Sequence, residues 1–442
     1  MKSLPFRIGL LVIAALVAGC TASPGPSPTS PGTNNPDVVV GQGDLAAVAL
    51  ARAPANPTDA AAAAAGINDF GLELFRVGTD GDQNAVVSPA SIILALGMAR
   101  PGARTETAAQ MDDVMRAVAS DENAAWLNAL DAALAARSGT YKNVFDKDAE
   151  VTLRIANAAY GQRGFEFERA YLEALASRFG VGLRLVDYVL APESARQDIN
   201  AWVDGQTEHR IPELLEQGTI DELTRLVLVN AIYLKAPWFA PFEEEVTRPA
   251  PFHRLDGSVV EVPTMLGGGT IGYAEGDGWR AVELPYAGRD LAMTIIVPDD
   301  LDAFEASLSG ERFAGVVEAL EDQKVALWLP KFGIETKLSL AGVLADMGMD
   351  LAFDPMQADF SGISTQRDDL YITDVIHQAN IDLDEEGTEA AAATAVVMGV
   401  TSAPAKPPVE LRVDRPFLFA LRDVPTGAIL FLGRVVEPIE RG

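Results

Sequence analysis

Residues 226–235 read LVLVNAIYLK, a nearly continuous apolar run in a chain of 442 residues. A strand that alternates apolar and polar residues can leave one face in water. This run cannot, and it reads as a strand buried on both faces. Such a strand needs cover on each side and so belongs inside a large fold, which the length and the 48% apolar content allow. The flanking sequence supplies the cover. GINDFGLELFRVG, residues 66–78, places Ile67, Phe70, Leu74 and Phe75 on one side of a helix. SPASIILALGMA opens a second helix, with Ser88 and Pro89 as its start signal. Residues 105–118 and 122–138 read as two more amphipathic helices, supported by Ala-rich propensity. Residues 151–162 are strand-like, while 168–179 and 193–207 are helical. Further strands are expected at 281–286, 291–297, 324–330 and 370–383. The stretch 409–438 reads as a strand and then a hairpin that turns at Pro425, Thr426 and Gly427. Helices dominate early and strands late, which indicates an α+β fold. No repeat recurs at a fixed period.

The N-terminus reads MKSLPFRIGLLVIAALVAGCTAS. Lys2 and Arg7 form a basic start, and residues 8–18 form an apolar stretch too short to span a bilayer comfortably. Ala18 and Gly19 lead into Cys20, the only cysteine, so no intramolecular disulfide can form. Val17, Ala18 and Gly19 ahead of Cys20 resemble the lipobox of bacterial lipoprotein signal peptides. That resemblance implies a leader over 1–19 and a lipid on Cys20; the alternative is an ordinary signal peptide with an unrelated cysteine. Residues 21–37, TASPGPSPTSPGTNNPD, cannot bury enough apolar surface to fold and read as an extended tether. The expected organisation is leader 1–19, tether 20–41 and a single domain 42–442. No second apolar stretch reaches 18 residues, so no transmembrane helix is expected. The expected location is exported and membrane-anchored, facing the periplasm or the cell exterior. Thr21 gives no inner-membrane retention signal of the Asp type. The formal charge of −29 argues against nucleic acid and acidic lipid, because phosphates are neutralised by excess Lys and Arg. Contact with a membrane is therefore expected only through the lipid on Cys20. Loss of Lys2 and Arg7 with the leader takes the charge to about −31.

Enzyme signatures are missing. The three histidines, His209, His253 and His377, form no HExxH pair, and Cys20 lies outside the domain. There is no G-x-S-x-G elbow and no Walker A loop. A Ser/His/Asp triad is defined in space and has no sequence pattern to find. The stretch 266–278, LGGGTIGYAEGDG, lacks the spacing of a nucleotide fingerprint and reads as a flexible loop. No catalytic residue, cofactor or metal is expected.

Residues 384–408 read DEEGTEAAAATAVVMGVTSAPAKPP. As a plain connection between two strands this is unusually long. Its interior, 388–400, holds no proline and one charge, Glu389. Those properties suit entry into the middle of a sheet, where proline removes a ladder bond and an inward charge is not tolerated. With a period of two, Thr388, Ala390, Ala392, Thr394, Val396 and Met398 share an uncharged face. Gly387 supplies a backbone joint at the entry point. Composition alone also allows an Ala-rich surface helix.

The flanking sequence decides between these. EEGTEAAAATAVV resembles the reactive-loop hinge of inhibitory serpins. NAVVSPASIILALGMARPGARTETAAQM (84–111), VNAIYLKAPWFAPF (229–242), VELPYAGRDLAMTIIVP (282–298), LWLPKFGIETKLSLAGVLADMGMDLAFDPMQADFSGIS (327–364) and RPFLFALRDVPTGAILFLGRVVEP (415–438) resemble further serpin segments in the same order. The resemblance implies a serpin fold: a large central mixed sheet, a smaller second sheet and barrel, eight to nine helices and an exposed reactive loop. It implies a hinge at Glu385, Glu386, Gly387, Thr388, Glu389, Ala390, Ala391, Ala392 and Ala393. Trp238 matches the breach tryptophan. Ser88, Ser91 and His377 match the shutter beneath the opening strands, and Asn157 is placed with them. Counting from the hinge puts the scissile bond at Thr401–Ser402, while counting back from Arg415, Pro416 and Phe417 puts it near Ala405–Lys406. The implied activity is suicide inhibition of a serine protease through a covalent acyl complex, by a monomer. Small and apolar residues near the favoured bond suit elastase-like or subtilisin-like enzymes, and Pro407 hinders cleavage after Lys406. The competing expectations are a non-inhibitory serpin-fold binding or carrier lipoprotein and a solute-binding lipoprotein. The second of these needs two lobes of alternating strands and helices, which the order of elements does not provide.

Overall fold

The computed structural model describes residues 38–40, 45–48, 50–117, 120–365, 370–389 and 407–439, all within the unit Val38–Gly442. Cys20, Ala390, Ala391, Ala392, Ala393, Thr401 and Ser402 lie outside the described residues. Nine α-helices and two nine-stranded sheets form among the described residues.

The first sheet runs, edge to edge, Val38–Val40, Leu45–Val48, Leu183–Val186, Asp148–Gln162, Leu226–Pro237, Gly387–Thr388, Ile376–Leu383 and Phe332–Ser339, with Gly139–Lys142 paired onto Asp148–Gln162. The ladder thus includes Val38–Val40, three residues of the segment read as tether. Asp148–Gln162 and Leu183–Val186 are parallel and the other pairs antiparallel, so the sheet is mixed. Leu226–Pro237 lies near its middle, and its side chains divide between two cores as the period of two requires. Ile232, Leu234 and Ala236 enter the main core. Val229 and Ala231 enter a second core with Tyr160, Ile199, Val203 and Leu215, under the helix Pro192–Gln206.

The second sheet orders Val409–Arg412, Glu321–Pro330, Val259–Gly276, Trp279–Pro285, Leu291–Pro298, Phe417–Asp423, Ile429–Val435 and Ala85–Val87, with Arg248–His253 paired onto Val259–Gly276. It equals the first sheet in strand number, and its described strands form an open path, not a closed barrel. The cause is Val259–Gly276: its 18 residues pair with three other strands along their length.

That strand also corrects the reading of 266–278 as a flexible loop. Its glycines are there for close approach. A Cβ on Gly267 meets Phe242 Cδ1 at 2.4 Å, and one on Gly268 meets the Val325 carbonyl oxygen at 2.1 Å. Residues 370–383 form a strand only from Ile376, because the Ile372 N–H is spent on the Ala352 carbonyl (2.9 Å) instead of a ladder.

The helices follow the apolar spacing. Pro57–Gly78 buries Ile67, Phe70, Leu74 and Phe75. Pro89–Ala99 is capped by Ser88, whose Oγ accepts the Ser91 N–H, with Pro89 in the first turn. This helix starts directly beneath the middle of the first sheet, which sets up the site described next. Among the described residues no helix is long and apolar enough to cross a membrane.

Candidate functional site

Gly387 and Thr388 are strand residues. Gly387 registers with Pro237 and Thr388 with Ala236 on one side, and Thr388 registers with Leu383 on the other. These two residues are the link between Leu226–Pro237 and Ile376–Leu383; no direct ladder joins those strands among the described residues. Gly387 has φ 154°, and a Cβ there meets the Ala236 carbonyl oxygen at 2.2 Å and Pro237 Cα at 2.7 Å. Only glycine fits that backbone and that approach. Gly387→Ala is expected to lower the unfolding free energy by about 2 kcal/mol. The readout is a lower denaturant midpoint at unchanged slope; an unchanged midpoint would mean that the hinge backbone relaxes freely.

Trp238 closes the top of this joint. It is 1% exposed and stacks on Tyr286 with ring centroids 4.4 Å apart and planes 9° from parallel. Its indole N–H donates to the Asp384 carbonyl (3.0 Å), and its backbone N–H donates to the Glu386 carbonyl (2.7 Å). Tyr286 is fully buried, and its hydroxyl lies 2.6 Å from Thr388 Oγ1, so each polar group satisfies the other. Burial pushes the Tyr286 phenol well above its ordinary value. Glu385 accepts from the Thr247 hydroxyl (2.7 Å) and pairs with Lys331 (3.1 Å). Burial pushes its carboxyl up, but the bonds to Thr247 and Lys331 prevail and hold it below the usual value.

A second polar cluster lies lower in the sheet, at the start of Pro89–Ala99. The Ser88 N–H donates to His377 Nε2 (3.0 Å), reaching one side of the joint. Ser91 Oγ bonds to Asn230 Oδ1 on the other side, and Asn230 Nδ2 donates to Asn157 Oδ1 (2.5 Å). The start of one helix therefore bridges both strands that flank Gly387–Thr388. His377 is 5% exposed, and burial pushes its imidazole down to about 4. The neutral ring is the form that accepts the Ser88 N–H. Below the ordinary value of 6.5 the unfolded chain takes up a proton that the folded ring refuses. The stability contributed by the neutral ring is thus complete above 6.5 and is lost as pH falls toward about 4, by roughly 3 kcal/mol. His377→Gln keeps an acceptor without the titration. Its unfolding free energy is expected to fall less steeply than the wild type's between those pH values. Parallel curves in a urea series would assign the pH dependence to other groups.

The structure brings together Glu385, Glu386, Gly387, Thr388, Glu389 and Trp238 at the upper joint, and Ser88, Ser91, Asn157 and His377 at the lower cluster. Sequence reading missed Asn230, Tyr286 and Thr247. Asn230 had a signal, since it is the one polar residue inside LVLVNAIYLK before Lys235. Tyr286 and Thr247 had none. Of the other histidines, His209 is exposed and pairs with Asp204 (2.7 Å), while the His253 backbone N–H donates to the Asp414 carbonyl (2.8 Å).

Known proteins share this arrangement of sheets. The sequence matches the family model described as Serpin (serine protease inhibitor) over residues 65–438. It is 36% identical to the leukocyte elastase inhibitor of Equus caballus over 382 residues, covering 84% of this chain and 97% of that protein. It is 38% identical to an uncharacterised serpin-like protein of Thermococcus kodakarensis over 377 residues, covering 84% of this chain and 85% of that protein. The native-state crystal structure of the thermophilic serpin tengpin superposes with a TM-score of 0.75 at 26% identity, covering 88% of this chain and 96% of that one. The chain belongs to the serpin family of serine protease inhibitors, and its fold is the serpin fold.

Proposed function

We propose that this protein inhibits a serine protease as a suicide substrate. The observation that carries the proposal is the double pairing of Gly387 and Thr388, which form the first rung of a further strand between Leu226–Pro237 and Ile376–Leu383. Residues 390–406 serve as bait. The protease serine attacks the carbonyl of Thr401, the bond to Ser402 breaks, and an acyl-enzyme joins the two proteins. The severed loop, with Ala390 and Ala392 following Thr388 on the inner face, then enters the sheet. The attached protease is dragged along, and its active site is distorted before water can release it. Fourteen inserted residues at about 3.3 Å each span on the order of 46 Å, enough to carry the enzyme across the molecule. The uncharged stretch from Ala390 to Ala393 supports the insertion. The small and apolar residues around Thr401, together with the likeness to elastase inhibitors, support an elastase-like or subtilisin-like target. The leader and Cys20 support an exported protein held by lipid, with the tether spacing the inhibitor from the membrane.

The test mixes the chain lacking residues 1–36 with an elastase-like enzyme, a subtilisin-like enzyme and trypsin. A band at the summed mass that survives boiling, with a released peptide starting at Ser402, is the expected result. A different new N-terminus between residues 399 and 407 would keep the mechanism and move the bond. Clean cleavage by all three without a covalent complex would leave the non-inhibitory reading.

A further inference from the structure

Glu389 follows Thr388, the last residue of the hinge paired in the sheet. Its φ is 51°, left-handed for a residue with a side chain, and its N–H donates to the Asp382 carbonyl (3.2 Å). A strand residue has φ near −120°, so insertion beyond Thr388 requires this residue to turn over. The Glu389 side chain is not in water: it is 6% exposed.

A strap covers it. Residues 207–216 leave the helix Pro192–Gln206 and are fastened to both halves of the sheet. Arg154, on one half, donates to the Gln206 carbonyl (3.0 Å) and pairs with Glu208 (3.0 Å). On the other half, Asn380 donates to the Arg210 carbonyl (2.8 Å) and Lys337 to the Glu213 carbonyl (3.2 Å). From the strap, Arg210 reaches two carboxyl groups at once: Nη1 to Asp382 Oδ2 (2.8 Å) and Nε to Glu389 Oε1 (3.2 Å). From Leu226–Pro237, the Tyr233 hydroxyl bonds to Glu389 and Lys235 adds a positive charge. Glu208 faces Tyr233 from the strap. The remaining oxygen of Asp382, Oδ1, is buried with no hydrogen-bond partner among the described residues.

We propose that Glu389 and Arg210 form a proton-operated latch: protonated Glu389 holds the turn after Thr388, and its ionisation frees the chain to enter the sheet. A protonated carboxyl leaves Asp382 as the one carboxylate of the two on Arg210. An ionised one places a buried carboxylate beside the half-buried Asp382 on a single guanidinium, which is unfavourable. Burial is the main force pushing Glu389 up to about 7; Arg210 pulls the other way and Asp382 adds to the rise. A Glu389 released into water returns to its ordinary value of 4.5. The latched state therefore binds the proton more tightly than the released state. Release is suppressed at low pH, speeds up as pH rises between about 4.5 and 7, and levels off above. Glu389 and Arg210 act here as positioning residues. Their role in insertion rests on the inhibitor mechanism proposed above, whereas the titration of the turn does not.

The first measurement needs no protease. Tryptophan emission, to which the stacked Trp238 beside the turn contributes, is followed from pH 5 to 8.5 in the full chain and in Glu389→Gln, a neutral isostere. The wild type is expected to show a transition with a midpoint near 7 that is absent in the variant. Asp382→Asn removes the neighbouring carboxylate and is expected to move the midpoint down. The second measurement is the partition between covalent complex and cleaved chain with a subtilisin-like protease. Taken as the ratio of wild type to Glu389→Gln at each pH, it cancels the protease's own titration. The ratio is expected near one at pH 5 and at least tenfold in favour of wild-type complex at pH 8. A flat wild-type emission curve, or one unchanged by Glu389→Gln, overturns the latch, as does a ratio independent of pH. If the transition is present but neither protein forms a complex, the latch stands and the inhibitor mechanism falls.

Discussion

Thr388→Arg is expected to turn the protein from an inhibitor into a substrate, lowering the yield of covalent complex at least about 100-fold. Thr388 is 2% exposed and sits between Ala236 and Leu383 with its hydroxyl on the buried Tyr286. An Arg is too large for the slot Thr388 shares with Tyr286 and is expelled from it, so its guanidinium must lose its hydration before the strand can enter. An uncompensated buried charge costs about 3 kcal/mol or more. On the mechanism proposed here, insertion and hydrolysis of the acyl-enzyme compete, and each 1.4 kcal/mol added to the insertion barrier shifts that competition about tenfold. The protease then escapes by hydrolysis and the chain leaves cut. Denaturing gels at equal protease and inhibitor concentrations read the effect directly. Thr388→Val is the control: it keeps the shape but leaves the buried Tyr286 hydroxyl unpaired, a cost of about 1–3 kcal/mol that falls on the structure before and after insertion alike, so it should retain most of the complex. Wild-type yield from Thr388→Arg would remove Thr388 from the insertion path.

Cutting the loop without trapping a protease is expected to raise the thermal midpoint by about 10 °C or more. Gly387 and Thr388 alone link Leu226–Pro237 to Ile376–Leu383 among the described residues, so a severed loop can extend a ladder that is already begun. Each added residue brings backbone bonds to both neighbours and, at every second position, a side chain into the core. The lower cluster at Ser88, Ser91, Asn157, Asn230 and His377 bridges the two strands on either side of the joint, so an inserted strand is expected to rearrange it. A gain on the order of 10 kcal/mol corresponds to roughly 10 °C for a chain of this length. Calorimetry of the intact chain and of chain nicked between residues 398 and 406 makes the comparison. Equal midpoints would mean that the loop stays outside after cleavage, and the mechanism would lose its driving force.

Much of the fold is legible in the sequence, for local reasons. The helices at Pro57–Gly78 and Pro89–Ala99 announce themselves through apolar spacing and, for the second, through Ser88 and Pro89. LVLVNAIYLK announces a strand with two buried faces, and its side chains do enter two separate cores. The glycine-rich stretch 266–278 is misleading, because glycine signals backbone freedom and close packing with the same letter. Here Phe242 and the Val325 backbone press against it, and neither is nearby in sequence. The size of the second sheet is hidden for a related reason. The reach of Val259–Gly276 along three partners depends on where those partners lie.

By itself the sequence determined most of the elements, the acidic charge and a loop interior, 388–400, free of proline and carrying one charge. Propensity, periodicity and composition act within a few residues along the chain, so they can be read from it. Tertiary structure alone decided which groups meet. Tyr286 reaches Thr388 across 102 residues of sequence, Ser91 reaches Asn230 across 139, and Arg210 reaches Asp382 across 172. Hydrogen bonds and shared burial exist only at contact distance. It was the order of strands in the first sheet that set the hinge between Leu226–Pro237 and Ile376–Leu383, and that drew a strap, a guanidinium and two carboxyl groups over it.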